Sequence, residues 1–245
     1  MNEITARLAS LLGAQSLEET RMRFASMIDH TLLRPDATQE DVARLCREAI
    51  EHRFACVMVY PCHLAFARKM LEGTDVAAGV VVDFPAGLRS NDFKVRSARD
   101  VIANGAREVD FVINVPELKR AAKSEKRCRE LSSQLKHLAE LSRIEDRPVV
   151  LKMILECCRL TDEEKVLGCN LVKEAGFDFV KTSTGFAEGG ATAHDVALMR
   201  GTVGRDMGVK AAGGIRTLAD AARMIEAGAN RIGASAGVKL VDGIS

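Results

Sequence analysis

Three lysines raise the chemical question. Lys152, Lys181 and Lys210 each lie in or beside an apolar, strand-forming run, "PVVLKMIL", "FDFVKTS" and "GVKAAG", and successive ones are 29 residues apart. A lysine is costly to bury, so one placed inside such a run either reaches water along its stem or serves chemistry. Equal spacing on equivalent units would bring the three amines to similar heights. Desolvation and neighbouring cations both disfavour an ammonium, so one of them can titrate near roughly 7 to 8. A neutral amine attacks carbonyls, and the resulting Schiff base draws electrons from the adjacent carbon, which can then lose or gain a proton or a carbon substituent. Lys181, followed by "TSTGF", is the candidate nucleophile. Asp110, in "EVDFVIN", is the candidate proton donor and acceptor, and Lys210 would depress the Lys181 pKa and relay protons with Asp110. The plainer alternative is that the lysines snorkel outward and Asp110 pairs with an arginine at a strand end. Three equally spaced amines with an acid nearby favour the chemical reading.

Something must hold these groups together, and the chain's periodicity says what. Apolar strand-like runs recur at Ser26 to His30, Phe54 to Tyr60, Ala77 to Phe84, Glu108 to Asn114, Pro148 to Leu155, Phe177 to Ser183, Gly208 to Gly213 and Arg231 to Ser235. Each is followed by an amphipathic helical segment. Glycines in "ANGA", "EAGF" and "EAGA" stop helices, while "TDEE" after Leu160 and "TLAD" offer Thr161 and Thr217 as caps. Eight such alternations predict an α/β fold, a (β/α)8 TIM barrel over residues 26–245, with residues 1–25 as a helical extension. A doubly wound open sheet is the alternative, weakened by the lack of GxGxxG after the first strand. In a barrel, the C-terminal strand ends carry the site. Asp29, Asp83, Asp110, Asn114, Lys152, Glu156, Lys181 and Lys210 are all polar residues near such ends. The glycine-rich segments after the last strands would bind phosphate through backbone N–H groups, with Gly185, Gly213, Gly214 and Ser235 as candidates. Each glycine could equally serve only as a turn.

Composition excludes other classes. The 245 residues carry a formal charge of +1 and are 47% hydrophobic, which suits one sizeable domain and argues against nucleic-acid binding. The most basic stretch, Leu118 to Lys136, interleaves glutamates at helical spacing and reads as a solvated helix face. Seven cysteines without a CxxC pair argue against a disulfide framework, and five scattered histidines give no metal-ligand spacing. With no signal peptide and no apolar run of membrane length, the cytoplasm is the expected compartment.

Taken in order, "IDHTLLRPDAT", "EVDFVIN", "LKMILE", "LTDEEK", "FVKTSTGF", "GVKAAGGIRT" and "RIGAS" closely resemble the deoxyribose-phosphate aldolases, from about Met27 to Gly243. The resemblance implies a Schiff-base aldolase that reversibly cleaves 2-deoxy-D-ribose 5-phosphate to acetaldehyde and D-glyceraldehyde 3-phosphate, in deoxyribonucleoside catabolism. It implies no cofactor and no metal, sugar-phosphate and aldehyde partners, and a homodimer. Position by position, its nucleophile falls on Lys181, its proton-relay aspartate on Asp110 and its activating lysine on Lys210. Asp29, Lys152, Thr182 and Arg216 join the glycines and Ser235 as expected substrate-contacting residues. The chain departs from the pattern at Phe186, where some members have a phosphate-reaching lysine, and at Ala236, where a second serine is common. It also lacks a C-terminal tyrosine, Tyr60 being its only one. The alternatives are a Schiff-base aldolase or transaldolase-like enzyme with another aldehyde or sugar phosphate, and a non-catalytic sugar-phosphate-binding barrel.

Overall fold

The computed structural model describes residues 2–143 and 148–245. Two helices, α1 (Glu3–Leu12) and α2 (Leu17–Ala25), lead into eight parallel strands. These are β1 (Ile28–Leu32), β2 (Cys56–Val59), β3 (Ala77–Val82), β4 (Glu108–Val112), β5 (Val150–Ile154), β6 (Phe179–Lys181), β7 (Gly208–Ala212) and β8 (Arg231–Ala234). Each pairs with the next and β8 closes on β1, so the sheet is a barrel and the open-sheet alternative fails. Around it run α3 (Gln39–His52), α4 (Leu64–Met70), α5 (Asn91–Ala103), α6 (Val115–Ala121), α7 (Glu125–Ala139), α8 (Asp162–Ala175), α9 (Ala193–Val203), α10 (Leu218–Glu226) and α11 (Gly237–Asp242).

Local chemistry explains the element ends. Thr161 and Glu164 form a reciprocal capping box on α8, Thr217 and Asp220 do so on α10, and Gly176 ends α8 at φ 93°. Strands are buried on both faces, as parallel sheets require, so β3 can read "AAGVVV" with no exposed residue. The outward side chains of the strands and the inner helix faces form one apolar layer that includes Phe24, Phe111, Leu118, Leu151 and Ile232.

Three expectations need correction. The first strand begins at Ile28, because Ser26 terminates α2 in helical conformation, and it runs on to Leu32. The basic stretch from Leu118 is two helices, broken before Ser124, whose hydroxyl caps α7. Its charges pair along the surface, Arg127 with Glu130 and Arg129 with Glu125. Finally, the three lysines do not share one height. Lys181 is the register partner of Lys210, but Lys152 pairs with Phe179, two residues before Lys181. Lys152 therefore lies one layer deeper, since inward-facing residues alternate along a strand.

Helices α1 and α2 pack on α10 and α11. Leu8 and Phe24 are fully buried beneath them. The Arg21 guanidinium donates to the Ile244 carbonyl, and the Asn2 N–H donates to the Ser245 carbonyl. Among the described residues no helix is long and apolar enough to cross a membrane.

Gly208 shows how tightly the barrel interior is filled. A methyl group there would overlap the ring of Phe179. That ring is backed by the Arg231 guanidinium, 5.2 Å from its centroid, and by the Lys152 ammonium at 6.0 Å. Gly208→Ala is expected to destabilise by about 1–3 kcal/mol, as overpacking does. A fall in urea midpoint with an unchanged m-value would show it, and an unchanged midpoint would mean the ring has room to move.

Candidate active site

Asp110 is the hub of the barrel interior. Its Oδ2 accepts from Lys181 Nζ at 2.8 Å and from Lys210 Nζ at 2.7 Å, while Oδ1 accepts from Lys152 Nζ at 3.0 Å. The register makes this possible: Asp110 pairs directly with Lys152 across β4 and β5, and Lys181 with Lys210 across β6 and β7. Below them Lys152 also binds Glu108, and Lys210 reaches Asp29 Oδ2 at 2.5 Å. Arg231 donates to Asp29 at 2.7 Å and to Glu108 at 3.3 Å.

Three carboxylates, Asp29, Glu108 and Asp110, thus face four bases, Lys152, Lys181, Lys210 and Arg231. Lys152 lies within 4 Å of all three carboxylates, while Lys210 and Arg231 each meet two. Lys181 meets only Asp110. One neutral base among the four balances the cluster, and the one with least compensation is Lys181. Burial lowers its pKa; Asp110 opposes this and Lys210 adds to it, leaving the amine at about 8. For Asp110, burial would favour the neutral acid, but Lys152, Lys181 and Lys210 together hold it well below the usual carboxylate range. Lys152 moves the opposite way, its desolvation outweighed by Asp110, Asp29 and Glu108.

Lys181 also has an opening above it. A cavity of about 440 Å³ at the C-terminal end of the barrel is lined by Thr31, Leu33, Arg34, Lys181, Thr184, Gly185, Phe186, Gly213, Gly214, Arg216 and Ser235, among others. A cavity of about 870 Å³ lies elsewhere, between Arg68, Gly105 and Val149, away from the lysines; size alone does not mark the site. Gly185, Gly213 and Gly214 have φ of 84°, 89° and 78°, the left-handed region that favours glycine. The Gly213 backbone packs directly against Gly185 and Gly190. Arg216 and Ser235 are exposed at the rim. Phe186 is 51% exposed. Its ring meets Phe84 edge-on at 5.2 Å, and Phe84 meets Tyr60 at 6.0 Å.

The expected site residues therefore separate by depth. Lys181, Gly185, Gly213, Gly214, Arg216 and Ser235 line the cavity. Asp110 and Lys210 lie fully buried just behind Lys181, while Asp29 and Lys152 are buried in the charge cluster. Thr182 points the other way, its hydroxyl bonded to both the N–H and the carbonyl of Ala212 at 3.1 Å. Sequence reasoning missed Glu108 and Arg231, which start their strands, and the lining residues Thr31 and Thr184. The signal for Thr31 was its polarity at a strand end, hidden by placing that end at His30. Among the described residues one group, Asp29, Cys56 and Glu108, has potential metal-ligand atoms within 4.8 Å of one another. Lys152, Lys210 and Arg231 already neutralise its carboxylates, so a metal cation would enter against three bases.

Fold and site together define an enzyme of the (β/α)8-barrel aldolase class. The chain belongs to the DeoC/LacD family of aldolases, whose model matches residues 23–241. It is 51% identical over 223 residues to the deoxyribose-phosphate aldolase of Thermoanaerobacter pseudethanolicus, covering 90% of this chain and 96% of that one. It is 49% identical over 227 residues to that of Caldanaerobacter subterraneus subsp. tengcongensis, covering 92% and 95%. Among solved structures, the tetrameric deoxyribose phosphate aldolase of Aeropyrum pernix superposes with a TM-score of 0.83 at 32% identity, covering 98% of this chain and 96% of that one.

A pKa near 8 leaves about a tenth of Lys181 neutral at pH 7, since each unit below the pKa is a factor of ten. Acetylation of Lys181 by trace acetic anhydride, a reagent that does not itself titrate, followed by peptide mass mapping, should rise about tenfold per pH unit up to about 8 and then level. A rate still climbing towards pH 10, as for an ordinary surface lysine, would contradict the assigned balance of charges.

Proposed function

We propose that the chain reversibly cleaves 2-deoxy-D-ribose 5-phosphate to acetaldehyde and D-glyceraldehyde 3-phosphate through a Schiff base on Lys181. The observation that carries this reading is the charge imbalance around Asp110, which singles out Lys181 as the base with the fewest counter-ions and sets it at the cavity floor. The names of the relatives, nearly full-length and about half identical, supply the substrate.

In the cleavage direction, the neutral Lys181 amine adds to C1 of the open-chain sugar, and loss of water gives a protonated imine. Removal of the proton from the C3 hydroxyl lets the C2–C3 bond break. The electron pair moves into the imine to form an enamine, and glyceraldehyde 3-phosphate departs. Protonation of the enamine at C2 and hydrolysis release acetaldehyde and restore the amine. Asp110, hydrogen-bonded to Lys181 and Lys210 through one oxygen, passes protons between them and the reacting atoms. The phosphate is held by the backbone amides of the Gly185, Gly213 and Gly214 turns, with Arg216 and Ser235 at the rim. Asp29 and Lys152 act on substrate through the charge they share with Lys210 and Asp110, and Thr182 through the Ala212 strap. We place the enzyme in the cytoplasm, in the breakdown of deoxyribonucleosides, in keeping with its seven unpaired thiols.

Acetaldehyde with sodium borohydride should leave a reduced two-carbon adduct on Lys181, found by intact mass and peptide mapping. Lys181→Ala should lose both the adduct and at least about 10⁴-fold in kcat/KM, as removal of a covalent nucleophile does. An adduct on Lys152 or Lys210 instead would refute the assignment. Cleavage of deoxyribose as efficient as that of its 5-phosphate would favour an aldolase for unphosphorylated sugars.

We further propose a homodimer joined through α1 and α2, where Ile4, Leu11, Leu17 and Met22 are 36–47% exposed. Light scattering should give twice the 26.6 kDa chain mass, and Leu11→Glu with Met22→Glu should halve it. A monomeric or tetrameric native mass would reject the dimer.

A further inference from the structure

At the end of β5 the ladder slips. The Leu155 N–H donates to the Lys181 carbonyl at 3.0 Å and the Cys157 N–H donates to the Thr182 carbonyl at 2.9 Å, so the β5 side advances two residues while the β6 side advances one. Glu156 is the extra residue, a bulge of the kind that re-aims a side chain beside a site. Its backbone lies at φ 58°, ψ 63°, a left-handed conformation that strains a residue with a Cβ.

The bulge turns the Glu156 carboxyl inward, where the residue is only 4% exposed. Both oxygens go to one residue: Oε1 accepts the Thr184 N–H at 3.3 Å, and Oε2 accepts the Thr184 hydroxyl at 2.5 Å. Thr184 lines the same cavity as Lys181. A hydroxyl has one proton and two acceptor sites. Here the proton goes to Glu156 and one acceptor site takes the Phe186 N–H at 3.1 Å. A lone pair is what remains to meet a ligand. Thr31, on the β1 side of the cavity, has likewise given its proton, to the Asp29 carbonyl at 2.8 Å.

We propose that Glu156 is a positioning residue that fixes Thr184 as a pure hydrogen-bond acceptor, and that this pair selects acceptor aldehydes carrying a hydroxyl donor. The proposal deepens the aldolase reading and rests on it. An acceptor without the hydroxyl leaves a buried lone pair unmet, and a site built to bond a hydroxyl discriminates strongly against the analogue that lacks it. Glu156→Gln keeps the shape but offers an amide donor to Thr184 Oγ1, so the threonine proton is released from its fixed direction.

The test measures condensation of acetaldehyde with D-glyceraldehyde 3-phosphate and with 3-oxopropyl phosphate, which lacks only the 2-hydroxyl. E156Q should lower the ratio of kcat/KM values, hydroxylated over deoxy acceptor, by about tenfold, mainly through KM for the hydroxylated one. Thr184→Val should lower the ratio similarly, Thr184→Ser should restore it, and the E156Q/T184V double variant should lose no more than either single one. Equal losses for both acceptors, or additive losses, would show that Glu156 only holds the loop and would overturn the proposal. If E156Q does not fold, the T184V and T184S ratios decide the matter alone. Borohydride trapping of the unaltered protein with acetaldehyde, which has no hydroxyl, reports separately on the Lys181 imine.

Discussion

The barrel interior depends on a shortage of negative charge. Seven ionisable side chains from β1, β4, β5, β6, β7 and β8 share a largely desolvated interior, and only three are acids. In such a place an uncompensated charge costs several kcal/mol, so the site reaches neutrality at its least supported member. Lys152 is stabilised as a cation by the same carboxylates that leave too little for Lys181. One lysine is made permanently charged and another reactive by a single distribution of acids.

Closure of the sheet is what allows this distribution. Asp29 on the first strand meets Arg231 on the last, 202 residues away in sequence, because β8 pairs with β1. The stagger between strands then sets the layers. Lys152 and Phe179 share the lower one, and Lys181 lies above, beside Lys210. The helices contribute indirectly, since the apolar layer behind the sheet lets strands such as β3 carry no exposed residue.

Local features were legible in the sequence because local physics decides them. The capping boxes at Thr161 and Thr217, the Gly176 stop and the eight alternations needed only neighbouring residues. Lys181, Asp110 and Lys210 could be singled out because a charge inside an apolar run is conspicuous. The depth of Lys152 was not legible, since equal spacing along the chain does not reveal how far one strand is staggered against the next. Glu108 and Arg231 were overlooked because a charge at the beginning of a strand usually faces solvent, and only a closed barrel brings these two together. The start of β1 was misplaced because apolar residues, Phe24 and Ala25 before and Met27 and Ile28 after, flank the point where α2 ends.

The contact between the loops after β6 and β7 limits how such a protein can diversify. A Cβ on Gly190 would overlap the Gly213 carbonyl, and Gly185 and Gly213 hold left-handed φ that a side chain would strain. A surface made of main chain offers evolution little to vary, because substitution there meets overlap or backbone strain before it can refine anything. Selection on this cavity must therefore act at its margin, where the half-exposed Phe186 has room for other side chains. Homologous barrels should keep the cradle and differ at the rim.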